Sequence, residues 1–179
     1  MKHLTEQLRK KLQLISLLIL DVDGTLTDGR IIVNGDGAEC KEFDVRDGHG
    51  IKLLIKAGIK VMLLTGRTSK AVDHRARELG ISEVCQGVLD KGSFLDKLMN
   101  EKKIAPASIA YMGDDIVDIP AFKKVGFSVA VADACDDAKM SADYVSRNAG
   151  GRGAVREICE MILKEQDKWK AVAARYGLP

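Results

Sequence analysis

The chain holds 179 residues, 46% of them hydrophobic, enough for one well-filled core and short for two full domains. Its 28 Lys and Arg are balanced by 26 Asp and Glu, a net charge of +2, and they are interleaved rather than gathered into a stripe, which excludes the electrostatic footprint of a nucleic-acid partner. Four cysteines, Cys40, Cys85, Cys135 and Cys159, stand far apart with no C-x-x-C pair, and they read as reduced, mostly core thiols of a cytosolic protein.

The chain opens on "MKHLTEQLRKKLQLISLLIL". The apolar run is shorter than the about 20 residues that span a bilayer. It ends in Asp21 and Asp23 with no A-x-A-like cleavage site, so no membrane association is expected, and residues 3–11 read as a helix feeding a buried strand. Short continuous apolar runs follow at 14–20, 59–64, 82–88, 108–112 and 127–132, the pattern of strands covered on both faces. Between them "GIKLLIKAG", "SKAVDHRARELG", "SFLDKLMNEKK" and "DIPAFKKVG" carry helical spacing, and three of the four end in glycine. Strand alternating with helix predicts an α/β fold with a doubly wound parallel sheet and helices on both faces. Residues 30–48 break the pattern. There "NGDG" between two short runs predicts a β-hairpin inserted after the first strand, with Arg46 and Asp47 on its return arm. A helix of some length is expected after "NAGGRG" (148–153), and "DKWKAVAARYGLP" reads as a loosely attached tail. With no linker or repeat, residues 1–179 are expected to form a single domain.

In an open parallel sheet the site lies beyond the carboxyl ends of the strands. The first run is followed by "DVDGT", the second by "TGR", the third by "DKG" and the fourth by "GDDIVD", so four polar clusters fall on one edge. Asp21, Asp23, Asp114, Asp115 and Asp118 cannot all remain ionised there unaided. Either some are protonated or a hard divalent cation is held by their oxygens. Mg²⁺ fits that donor set, whereas zinc would call for His or Cys ligands that these clusters lack. His49 and His74 have no partner at ligand spacing and are assigned packing or surface roles; Tyr111 is assigned to the core.

These four clusters, in this order, resemble the motifs of the haloacid dehalogenase superfamily of phosphotransferases. The segments "DGRI", "FDVRDGHGIKLL", "GDDIVDIPAF", "VAVADA" and "NAGGRGAVREICEMIL" further resemble the 3-deoxy-D-manno-octulosonate 8-phosphate phosphatase family, over roughly residues 15–165. The resemblance implies a Rossmann-like fold without a cap domain and a Mg²⁺-dependent phosphomonoesterase, with Mn²⁺ or Co²⁺ as substitutes. It implies Asp21 as nucleophile, Asp23 as general acid and base, and Thr65 and Lys91 as partners of the phosphoryl oxygens. The metal would be held by Asp21, Asp114 and the carbonyl of Asp23, with Asp118 orienting Lys91 or a metal-bound water and Asp115 close by. By the same resemblance Asp23, Asp44, Val45, Arg46, Asp47, Gly48, Lys52, Arg67, Arg75 and Lys91 line the pocket for a small sugar acid phosphate.

A two-stranded hairpin alone is marginal in water, and members of this family assemble as tetramers in which hairpins form a central core and neighbouring subunits act as caps. A cytoplasmic homotetramer is therefore expected, with Arg152 reaching toward a neighbouring site. Two other readings stay open: a phosphatase for another sugar acid such as a nonulosonate 9-phosphate, and a catalytically silent module on the same fold.

Overall fold

The structure, a computed structural model, describes residues 4–177. Eight strands are present among them: β1 (Leu17–Leu20), β2 (Ile32–Val33), β3 (Glu39–Cys40), β4 (Lys60–Leu64), β5 (Glu83–Cys85), β6 (Ile109–Gly113), β7 (Phe127–Ala130) and β8 (Tyr144–Val145). The helices are α1 (Glu6–Gln13), α2 (Val45–Lys56), α3 (Lys70–Leu79), α4 (Lys91–Lys102), α5 (Ile119–Phe122), α6 (Asp136–Ser141), α7 (Ala154–Glu165) and α8 (Trp169–Ala173). Six strands form one parallel sheet in the order β5-β4-β1-β6-β7-β8, while β2 and β3 pair antiparallel as a separate hairpin.

The sheet is parallel because each strand is too apolar to face water on either side. All four residues of β1 are buried, and so are the last four of β4 and all of β6 and β7. Such strands need helices on both faces. Chain order supplies them through right-handed crossovers: α2 and α3 carry the chain from β1 outward to β4 and β5, and α4 returns it across the sheet to β6. Both directions of winding start in the middle, so the crevice between β1 and β6 is the switch point of the sheet. Register sets the rest. Leu20 is paired with Leu63 on one side and Met112 on the other, and the Asp21 amide donates to the Met112 carbonyl at 2.9 Å. The residues after β1, β4 and β6 therefore emerge at one height.

Several expectations are corrected. The hairpin ends at Cys40, and Arg46 and Asp47 lie in the first turn of α2, which starts where the Asp44 side chain accepts the Arg46 amide at 2.6 Å. Two glycines make this helix look unpromising in sequence, yet packing requires them: a methyl group on Gly50 would sit 3.1 Å from Arg156 Cα and 3.3 Å from Cys159 Cβ of α7. The tail is attached, since α8 buries Val172 and Ala173; residues 178–179 lie outside the described residues. The first helix spans Glu6–Gln13, ending two residues later than expected, while residue 3 of the expected span lies outside the described residues; β8 is an addition to the expected strands. Of the cysteines, Cys159 is buried and Cys40 is exposed on the hairpin.

Asp47 has a structural contact that its sequence position does not announce. Buried between α2 and α7, it accepts the Gly153 amide at 3.2 Å and the Arg156 amide at 2.7 Å, closing the first turn of α7 from a neighbouring helix. Asp47→Ala leaves those two donors without an acceptor and is expected to destabilise the fold by about 1–3 kcal/mol. A lowered urea midpoint with an unchanged slope, measured at fixed protein concentration, is the predicted result; an unchanged midpoint would remove this contact from the account.

Candidate active site

Beyond the carboxyl ends of β1, β4 and β6 lies a cleft of about 210 Å³. Asp21, Asp23, Thr65, Arg67, Lys91, Asp114 and Asp115 line it. Gly66, Val88, Leu89 and Val117, which sequence reasoning did not single out, complete the wall.

Each polar group arrives by a different local device. The chain turns sharply after Asp23 because Gly24 takes a left-handed conformation, φ 87°; a methyl group there would also collide with the Asp114 carboxylate. Asp21 and Asp23 thus leave the strand while Asp114 approaches from β6. Lys91 is the first residue of α4, whose N-cap Asp90 accepts the Ser93 amide at 2.9 Å. The loop before it is held to the neighbouring strand by the Val88 amide on the Thr65 carbonyl at 3.0 Å.

Electrostatics converge on Lys91, which is 3% exposed. Its ammonium lies 2.8 Å from Asp21 Oδ1 and 2.6 Å from Asp118 Oδ1. Burial works against the charged amine, but the two carboxylates outweigh it and hold the pKa above its ordinary value. Asp118, fully buried, has its oxygens occupied: Oδ1 also accepts the Tyr111 hydroxyl at 2.7 Å, and Oδ2 accepts the Asp114 and Asp115 amides at 3.0 and 3.2 Å. Tyr111 is a core residue, as expected, and in addition a donor to this network. Asp115, exposed, caps the following 3₁₀ turn through the Ile116 amide.

Carboxylate oxygens of Asp21, Asp114 and Asp118 approach within 4.8 Å of one another. Since Asp118 already accepts four donors, Asp21 and Asp114 are the pair whose oxygens could hold a cation. Burial first, and the negative neighbours second, raise Asp21 to about 6 and Asp114 to about 8. Two carboxylates held that close, one buried and one half-buried, favour their protonated forms in the absence of a cation. An all-oxygen donor set of this kind suits a hard divalent ion.

The expected sugar-pocket residues divide. Arg67 lines the cleft, but Asp44, Val45, Arg46, Asp47, Gly48, Lys52 and Arg75 do not. Asp44 is occupied as the cap of α2 and pairs with Arg46 at 2.7 Å. Val45, Gly48, Lys52 and Arg75 line a separate cavity of about 120 Å³ with Glu78, to which Arg75 is paired at 2.8 Å. His49 packs edge-on against Tyr176. Lys41, overlooked in sequence, reaches from the end of the hairpin to Asp23.

Comparison with known proteins agrees with this geometry. Residues 80–158 match the model of the haloacid dehalogenase-like hydrolases. The chain is 49% identical over 158 residues to the 3-deoxy-D-manno-octulosonate 8-phosphate phosphatase of Escherichia coli K12, covering 88% of this chain and 84% of that one. The crystal structure of the phosphatase of that name from Moraxella catarrhalis, in complex with magnesium ion, phosphate ion and KDO, superposes with a TM-score of 0.93 at 42% identity, covering 97% of this chain and 99% of the other. A cobalt-bound octulosonate 8-phosphate phosphatase from Haemophilus influenzae gives 0.84 at 44% identity, with 88% and 92% covered.

Cation binding requires Asp21 and Asp114 to ionise. Because their pKa values in the metal-free fold lie above the ordinary 3.8, the stability they contribute is present at low pH and is lost as pH rises through about 6 to about 8. Mg²⁺ affinity changes in the opposite direction. Thermal unfolding with Mg²⁺ or with EDTA should therefore show a stabilisation by Mg²⁺ that is larger at pH 8 than at pH 6. A shift independent of pH would place the ion elsewhere.

Proposed function

The chain belongs to the 3-deoxy-D-manno-octulosonate 8-phosphate phosphatase family of the haloacid dehalogenase-like hydrolases, and from that premise we propose how it works. It hydrolyses 3-deoxy-D-manno-octulosonate 8-phosphate to 3-deoxy-D-manno-octulosonate and inorganic phosphate, a step in lipopolysaccharide biosynthesis. The observation that carries the reading is Lys91 bridging Asp21 and Asp118, beside Asp114, at the switch point of the sheet.

An oxygen of Asp21 attacks phosphorus in line with the ester bond, that bond breaks, and an aspartyl-phosphate forms on Asp21. Asp23 gives a proton to the departing sugar oxygen. In the second half Asp23 takes a proton from a water whose oxygen attacks phosphorus, freeing phosphate and restoring Asp21. Lys91, held against Asp21 by the Asp118 and Tyr111 network, and the Thr65 hydroxyl neutralise charge spreading over the phosphoryl oxygens. Asp21 and Asp114, by their carboxylates, and Asp23, by its carbonyl, would hold Mg²⁺, which would supply further positive charge near those oxygens; Mn²⁺ and Co²⁺ are substitutes, supported by the cobalt-bound relative.

A volume of about 210 Å³ holds a phosphoryl group but falls short of the roughly 300–1,000 Å³ of typical ligand pockets. The sugar acid therefore extends past the cleft of one chain, and we assign the missing cover to a neighbouring copy in a homotetramer. Two features support this: Leu89 and Val117 at the rim are exposed, and the hairpin presents Ile31, Ile32 and Val33 to solvent. Asp44, Val45, Arg46, Gly48, Lys52, Arg75 and Arg152 then serve the substrate from across an interface, with Asp47 holding their helix against α7. The chain acts as one catalytic domain, and its free cysteines support a reducing, cytoplasmic location. No helix among the described residues is long and apolar enough to cross a membrane. The relatives reported above are named for the eight-carbon ester, which favours it over a nonulosonate 9-phosphate, and the intact set Asp21, Asp23, Thr65, Lys91 and Asp114 disfavours a silent module.

Phosphate release with Mg²⁺ should favour 3-deoxy-D-manno-octulosonate 8-phosphate over a nonulosonate 9-phosphate. Asp21→Asn should lower it by at least about a thousandfold while leaving the fold intact. Preference for the longer sugar would move the enzyme to another pathway, and an active Asp21→Asn variant would displace the nucleophile. Light scattering at micromolar concentration should give the mass of four chains; a monomer would remove the shared site.

A further inference from the structure

Lys41 lies just past β3, outside every segment that frames the cleft, yet its side chain is wholly shielded from solvent. A buried ammonium must find partners. Lys41 has two: Nζ donates to Asp23 Oδ1 and, at 2.6 Å, to Glu39 Oε1. Glu39 in turn accepts Arg67 Nη2 on its other oxygen at 3.3 Å, and Arg67 Nε stands 3.9 Å from Asp23 Oδ2. Asp23, Lys41, Glu39 and Arg67 thus close a ring of alternating charge, two members of which line the cleft. Exposed ion pairs of this kind carry little weight; the Arg67 end of this ring is half exposed, but the Lys41 end is shielded and ties the hairpin to the site.

The ring fixes how the Asp23 carboxyl group is turned. Oδ1 is committed to Lys41, while Oδ2 accepts no hydrogen bond and has Arg67 Nε 3.9 Å away. An oxygen with no hydrogen bond from the protein is the one left to exchange a proton with substrate. We propose that Lys41 is a positioning residue for the phosphatase reaction, holding Asp23 so that its free oxygen faces the departing sugar oxygen; β3 thereby belongs to the active site as well as to the hairpin. The inference rests on the role of Asp23 given above. Lys41 remains an ammonium throughout and exchanges no proton. The proton passes from Asp23 to the sugar oxygen as the ester bond breaks, and from water to Asp23 as phosphate leaves.

A leaving group that departs without a proton separates positioning of Asp23 from general damage. Values of kcat/KM report the steps up to the aspartyl-phosphate, and they are to be compared for 3-deoxy-D-manno-octulosonate 8-phosphate and for p-nitrophenyl phosphate. Lys41→Met should lower the first by about ten- to a hundredfold and the second by no more than about threefold, with Lys41→Arg restoring most of the loss. Asp23→Asn sets the reference, with a loss of about 10²–10⁴-fold on the sugar ester and a much smaller one on the aryl ester. Since Lys41→Met leaves Asp23 and Glu39 facing each other, Lys41→Met with Glu39→Gln repeats the test without that repulsion. Equal losses on both esters in both Lys41 variants, or no loss on either ester, would overturn the inference. If Asp23→Asn discriminates and the Lys41 variants do not, the inference alone falls; if Asp23→Asn fails to discriminate, the role given to Asp23 falls and the inference with it.

Discussion

Three carboxylates meeting at the end of two adjacent parallel strands is the constraint on which the rest depends. Asp21, Asp114 and Asp118 are brought within 4.8 Å of each other by the register of β1 and β6, where Leu20 is paired with Met112. Three negative charges at that spacing, two of them buried, are not tolerated without compensation. The fold supplies one permanent cation, Lys91, between Asp21 and Asp118, and satisfies Asp118 completely with Tyr111 and two backbone amides. What remains uncompensated is the pair Asp21 and Asp114. The site thus lacks positive charge, which a divalent cation would supply.

Rigidity follows from the same arrangement. The groups that meet substrate are the residues immediately after strands buried on both faces, so their backbones are fixed by the core rather than by loops. Gly24 lets the chain turn away without obstructing the Asp114 carboxylate, and Val88 ties the Lys91 loop to Thr65. Preorganised charge of this sort acts without reorganising as the reaction proceeds. The sugar end of the substrate is treated otherwise: of its expected partners Asp23, Arg67 and Lys91 line the cleft, and the remaining ones sit on α2, its N-cap and α3.

Much of this was legible in the sequence because it depends on short range and on order. Continuous apolar runs gave the central strands, and the polar residue after each run gave Asp21, Thr65, Lys91 and Asp114. The failures share a cause, contacts made at long range. Nothing local shows that Gly48 and Gly50 belong to a helix, since their reason is the close approach of α7 and Arg75. Asp47 reads as a polar pocket residue until α7 places two amides on it. Lys41 reads as one more surface lysine, and Tyr111 as one more core aromatic, because their partners lie 18 and 7 residues away. The strand β8, two residues long, exists only by pairing with β7.

The central claim is that Asp21, placed at the switch point by β1, takes the phosphoryl group before water does. The stereochemical course at phosphorus tests it most directly, using the phosphorothioate analogue of the octulosonate ester made chiral with two oxygen isotopes and hydrolysed in water carrying the third, so that the thiophosphate product is itself chiral. Two successive in-line displacements, first by Asp21 and then by water, predict retention of configuration in the product. Inversion would mean that water attacks the ester directly, and that the carboxylates gathered at this edge only bind the cation.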